Sequence, residues 1–156
     1  CARAGYIEPL ATPRILKEWR RAAKTPLQRL EAENAVRQFL DDFPEAIRPD
    51  PVDLRPYWLP DPGDVHILAL AAVHHADAII THNKKDFPQA ELNTYGITRI
   101  DPDAQLLQLY KLHGTALMDQ LRPVLAEVQS AHPQIPALEL WRKAWLPQFG
   151  RKFDRL

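Results

Sequence analysis

The 156-residue sequence has one cysteine, one methionine, no surplus of either charge and no long apolar run. A lone cysteine, Cys1, excludes an intramolecular disulfide framework and a cysteine-rich zinc site, and gives no sign of an oxidising compartment. The chain therefore reads as cytosolic. Twenty Lys+Arg against twenty Asp+Glu leave no bulk cationic field, so a nucleic-acid partner would have to be held by a local patch. The longest apolar-rich run, Ile67 to Ala72, is far below the roughly 20 residues that cross a bilayer. No basic-then-apolar segment opens the chain, and no membrane is expected. The only methionine is Met118, so a natural start is expected to lie ahead of Cys1. Cys1 to Gly5 reads as the last turn of a helix with Gly5 at its C-cap.

What is present suits one globular domain with a small appendage: 46% of residues are hydrophobic and 26% charged. Tyr6 to Ala11 is expected as a short strand. Thr12-Pro13 and Thr25-Pro26 are N-cap-plus-proline starts for helices over Pro13 to Ala23 and from Pro26 to just before Pro44. In the second helix Leu27, Leu30, Ala35, Val36, Phe39 and Leu40 fall on one stripe. Residues 45–62 read as connecting loop, with Ala46-Ile47-Arg48 as a candidate edge strand. Gly63-Asp64 opens a helix with Ile67, Leu68, Ala71 and Ala72 inward. Ala78 to Thr81 then reads as a strand buried on both faces. A short helix from Phe87-Pro88 to Tyr95 and a strand over Ile97 to Ile100 complete an alternation that predicts a parallel sheet covered by helices. After Asp101 only helices are expected: Asp101 to Leu112, Thr115 to Ser130 and Ala137 to Trp145. Trp141 and Trp145, at i and i+4 of the last, read as packing residues.

The residues that could carry chemistry are acidic and sit near the carboxyl ends of the strands, where α/β folds bind ligands. Asp86 follows the buried strand, with Thr81 and Asn83 between; Asp61 and Asp64 start the preceding helix, and Glu18 lies on the first. Singly, each has a plainer role, Asp61 and Asp64 as N-caps, Glu18 as a solvated helix residue and Asp86 as a turn residue. Gathered in one cleft, carboxylates repel each other unless a cation neutralises them, and oxygen-only ligation favours Mg²⁺ or Mn²⁺. Cys1 could be an N-terminal nucleophile, but a fraying helix turn is the wrong setting. His66, His74, His75 and His82 lack metal-ligand spacing and read as solvated or capping. Arg14, Lys17, Arg20, Arg21 and Lys24 share a helix with Glu18, and Lys84 and Lys85 flank Asp86, a local cationic supply that a ribonucleotide backbone would need.

The blocks Leu59-Pro60-Asp61-Pro62-Gly63-Asp64-Val65-His66-Ile67-Leu68-Ala69 and Ala78-Ile79-Ile80-Thr81-His82-Asn83-Lys84-Lys85-Asp86-Phe87-Pro88, with Pro13-Arg14-Ile15-Leu16-Lys17-Glu18-Trp19, resemble the PIN domain, and within it the VapC-like toxins of bacterial toxin–antitoxin systems. The resemblance implies an α/β fold, a three-layer α/β/α PIN-like domain with a parallel sheet over 1–100, and an all-helical C-terminal extension over 101–156. It implies a Mg²⁺- or Mn²⁺-dependent endoribonuclease toxin, with Glu18, Asp64 and Asp86 as catalytic metal-holding acids. Asp61, Thr81 and Asn83 would support them, and Arg14, Lys17, Arg21, Lys84 and Lys85 would meet RNA. Its implied partners are RNA and a cognate DNA-binding antitoxin that inserts near the acidic cleft; a homodimer is left open. The alternative is a catalytically inactive PIN-like module that engages only a protein partner.

The resemblance implies a first acid at the end of a central strand, and that strand with most of its helix, roughly 20 residues by the usual element lengths, is expected to be missing ahead of Cys1. The chain is therefore expected to bind metal weakly and to cleave little. The gap is expected to be filled by a separate N-terminal peptide, a neighbour's strand or a rearranged sheet edge, because each unmatched buried backbone group costs about 1–3 kcal/mol.

Overall fold

A computed structural model describes residues 1–153. Contacts group them into two compact units, one of Ala2–Ile79 and Asn83–Arg99, the other of Cys1, Ile80–His82 and the chain from Ile100 onward.

The first unit begins with a 3₁₀ turn, Ala2–Ala4, closed by Gly5 at φ +73. Helix α1 (Pro13–Ala22) starts where Thr12, fully buried, accepts the N–H of Ile15. Helix α2 (Pro26–Asp42) starts at a capping box between Thr25 and Gln28. The Thr-Pro pairs set both boundaries because each hydroxyl satisfies a helix-end N–H and each proline has none to satisfy. The expected stripe on α2 is buried only in part. Ala32 and Val36 are buried and Phe39 packs beside Val36, Leu16 and Ala11, whereas Leu27, Leu30 and Leu40 are exposed. A helix buries only the face for which a neighbour exists, so periodicity overstates the core here.

The strand expected over Tyr6 to Ala11 is instead one parallel bridge between Ala11 and Ile47. Ala11 donates to the Ala46 carbonyl and accepts from Arg48 N–H, both at 2.9 Å. Pro9 on one side and Pro44, Pro49 and Pro51 on the other remove the donors a longer ladder needs. After a 3₁₀ turn at Pro62–Asp64, α3 (Val65–Val73) buries Val65, His66, Leu68, Ala69, Leu70 and Ala71. Two residues beyond its end, His75 with φ of +52 turns the chain toward β1 (Ala78–Ile80).

Helix α4 (Gln89–Asn93) leads through Gly96 to β2 (Thr98–Ile100). The sheet among the described residues is the pair β1-β2, with Thr98 N–H donating to Asp77 and Thr81 N–H to Ile100, a parallel register. The wide sheet expected from the alternation is thus two strands and one bridge, and Ile7–Leu10 does not pair with Ile79–Thr81. The core of this unit, built on Leu59, Leu68, Ile79, Phe87, Leu92 and Ile97, joins α3 to the strands and loop that follow it.

The second unit is helical after β2, with α5 (Pro102–His113), α6 (Thr115–Ala131), α7 (Ala137–Lys143) and α8 (Pro147–Phe153). Asp101 caps α5. Asp103, 2% exposed, accepts the N–H groups of Gln148 and Phe149 at 2.9 and 2.8 Å, fastening the start of α8 to α5. Helix α8 is not among the helices expected from the sequence, and α7 is shorter than the expected Ala137 to Trp145. The helix stops at Lys143, and Trp145 takes a positive φ and is 71% exposed, so only Trp141 of the pair is packed. Asp154, Arg155 and Leu156 lie outside the described residues. Among the described residues no helix is long and apolar enough to cross a membrane.

Candidate metal centre

Asp61, Asp64 and Asp86 each offer a carboxylate oxygen, and these oxygens lie within 4.8 Å of one another. Two segments more than 20 residues apart in sequence supply them. Asp61 accepts the N–H of Gly63 at 2.7 Å and so caps the 3₁₀ turn, the plain role expected of it. Asp64 makes no side-chain cap, so helix-end hydrogen bonding does not explain its placement. Asp86 is held in a closed turn, taking Asn83 Nδ2–H at 2.8 Å on Oδ2 and donating its own N–H to Asn83 Oδ1 at 3.3 Å.

The Asp86 loop is pinned by Arg99, which the sequence marks only as a strand residue. Arg99 donates to the carbonyls of Lys84 and Phe87, and its own N–H goes to Gln89 Oε1 at 2.7 Å. An arginine in a short strand has no local pattern that announces this, because its acceptors lie 12 and 15 residues back.

Burial raises the Asp64 carboxyl above its ordinary range, and the neighbouring charges of Asp61, Asp86 and Glu18 push the same way while His66 opposes them. Three oxygen donors without a cation among them are in mutual repulsion, and a divalent ion fits that donor set. Glu18 is not one of the trio. Its Oε1 takes Arg14 Nε–H at 2.9 Å and its Oε2 lies 3.1 Å from His66 Nε2. His66 is 2% exposed and corrects the expectation of a solvated or capping histidine: α3 is buried on nearly all sides, which covers the ring.

Thr81 follows β1 and donates its N–H to Ile100, and Asn83 touches Asp86 as described. Lys17, Arg21, Lys84 and Lys85 are exposed, whereas the Arg14 guanidinium is engaged by Glu18 and by the Gly63 carbonyl. Cys1, the expected nucleophile of the weakest alternative, is half-buried beside a 3₁₀ turn.

Neither the curated proteins nor the solved structures contain a significant match to the chain. The family model of the PIN domain matches residues 1–85, which spans α1 with Glu18, the turn with Asp61 and Asp64, and β1, and stops one residue short of Asp86. Covering more than half of the sequence, that match places this chain in the PIN-domain family.

Proposed function

We propose that this protein is a divalent-metal-dependent endoribonuclease of the toxin–antitoxin kind, with residues 1–100 as its PIN-like domain and 101–156 as a helical extension. PIN domains are generally nucleases and typically use divalent metal ions. The observation that carries the reading for this chain is the carboxylate trio of Asp61, Asp64 and Asp86, assembled from separate segments with Asp64 destabilised as an anion. Asp61, Asp64 and Asp86 would hold Mg²⁺ or Mn²⁺, which when bound supplies Lewis-acid stabilisation of developing phosphoryl charge.

The chain's own groups do the rest. Asn83 fixes the Asp86 carboxylate, and Arg99 fixes the loop that carries both. Glu18 would accept a proton from the attacking water while the water oxygen bonds to phosphorus; one ester P–O bond breaks, and the leaving oxygen takes up a proton from solvent. Lys17, Arg21, Lys84 and Lys85 offer exposed cations to the RNA backbone. An antitoxin would restrain the activity by occupying the acidic cleft.

The test is cleavage of single-stranded RNA by the full-length protein with Mg²⁺ or Mn²⁺. Cleavage that stops with EDTA and in Asp64→Asn supports the reading. Protein that is folded and loaded with Mn²⁺ yet leaves RNA intact would instead be an inactive binding module.

A further inference from the structure

Helix α7 ends in a turn whose geometry favours glycine and that carries a tryptophan instead. Trp145 donates its N–H to the Arg142 carbonyl at 3.0 Å and Leu146 donates to the Trp141 carbonyl at 2.9 Å, the paired bonds that close a helix through a left-handed residue. Trp145 is that residue, at φ +60. An L side chain in this region crowds the following carbonyl, a strain that glycine escapes. Elsewhere the same region is taken by Gly5, Gly96 and Gly114, and by His75 beyond α3. Trp145 is also 71% exposed, so little burial offsets the strain.

The indole has one aromatic neighbour among the described residues. Its ring meets that of His82 at 5.9 Å between centroids and 47° between planes. His82 Nδ1 lies 3.0 Å from Asp101 Oδ2, and Asp101 is fixed in turn as the N-cap of α5. All three residues belong to the second unit. Rings this close and this tilted leave no room for a base between them, so a ligand would meet the solvent side of the indole.

The surroundings select the ligand. Arg142, Lys143 and Gln148 are exposed beside Trp145 in the chain, and a lone indole among cationic and polar groups is not the contiguous apolar patch that docks a protein. It suits a polyanion that carries stackable faces. Unpaired bases stack on aromatic side chains with little regard to sequence, whereas the bases of a duplex are already stacked. A chain of zero formal charge gains little RNA affinity from phosphates, and a stacked base supplies affinity without charge.

We propose that Trp145, set against His82, is a stacking platform for an unpaired base of single-stranded RNA. The proposal rests on the ribonuclease reading above and adds to it a base contact carried by the helical extension. The strain of the turn is stability given up to present the ring.

The full-length protein in EDTA, titrated with a fluorescein-labelled single-stranded RNA oligonucleotide, tests this. Trp145→Gly should weaken binding about 5- to 100-fold, the range for one stacked base. Its salt dependence should stay that of wild type, because stacking releases no counterions. The same variant should unfold no earlier than wild type, since glycine relieves the turn. A packing tryptophan would do the reverse, so a Trp145→Gly protein that melts several degrees earlier, or that binds RNA like wild type, overturns the proposal. Trp145→Phe should keep most of the affinity and lose most of the RNA-induced quenching of indole emission. Quenching that persists would place the base on another tryptophan, against the proposal, and duplex RNA that competes as well as the single strand would refute it. With Mn²⁺, Trp145→Gly should raise KM and leave kcat close to wild type. If wild type cuts RNA and Trp145→Gly cuts it with unchanged KM, the platform fails and the ribonuclease reading stands. If wild type binds RNA through Trp145 yet cuts none, that reading fails and the platform stands.

Discussion

Asp64 and Asp101 respond to pH in opposite directions, and the signs follow from their surroundings. Burial and three neighbouring acids lift the Asp64 carboxyl, so its folded-state value exceeds the unfolded one. Its ionised form therefore costs stability at neutral pH, and that cost fades as pH falls through the raised value. Asp101 is opposed by burial, but His82 and the N–H groups of Asp103 and Ala104 outweigh it and hold the carboxyl below the ordinary range. Asp101 thus contributes stability above the unfolded carboxylate value and loses it as pH falls through the depressed one. At neutral pH without metal, Asp64→Asn should raise stability by about 0.5 kcal/mol, the scale of partly solvated charge interactions. Thermal unfolding with and without Mn²⁺ checks this: the ion should raise the wild-type midpoint and barely move that of the variant. A variant that melts earlier than wild type in EDTA would contradict the repulsion.

Within the second unit, α7 and α8 meet at a contact that leaves no space for another atom. A Cβ built on Gly150 would stand 2.4 Å from Trp141 Cβ, backbone-proximal atoms that no rotamer change can move aside. Trp141 in turn meets the Phe149 ring edge-on at 5.6 Å. Gly150→Ala should therefore push the two helices apart and cost about 1–3 kcal/mol, the range for overpacking a filled core. Urea unfolding should show a lower midpoint at unchanged slope, and an unchanged midpoint would mean that α8 yields more easily than its anchorage to Asp103 suggests.

For the molecule as a whole, zero formal charge limits how RNA can be held. The exposed Lys17, Arg21, Lys84 and Lys85 belong to the first unit, and the Arg14 guanidinium is already engaged. Four free cations should release few counterions, giving a slope of log affinity against log salt of about −2 to −3 at roughly −0.7 per phosphate on single strands. Fluorescence-anisotropy titrations of an RNA oligonucleotide across salt concentrations measure this. A slope steeper than about −5 would require a basic surface other than the one named.

Signals confined to a few residues were legible without coordinates. Thr12-Pro13, Thr25-Pro26 and Asp101-Pro102 set helix starts because the capping hydrogen bond spans two or three positions. The apolar run Ala78-Ile79-Ile80 marks a strand, but Ile79 alone of the three is buried and Ile80 is 42% exposed, so the expected burial on both faces does not hold. The acids of the candidate site could be named from residue type and order. The tertiary structure decided what the sequence left to distance. It reduced the expected strand at Tyr6 to Ala11 to one bridge, because pairing needs donors on both segments and prolines remove them. It brought Asp61 into the carboxylate trio and turned Glu18 toward Arg14 and His66. The bond from Arg14 to Gly63 spans 49 residues, and no periodicity or cap encodes a contact of that length. Which acids come within 4.8 Å of one another and which lies beside them depends on how α1 meets the start of α3, and only the folded chain fixes that.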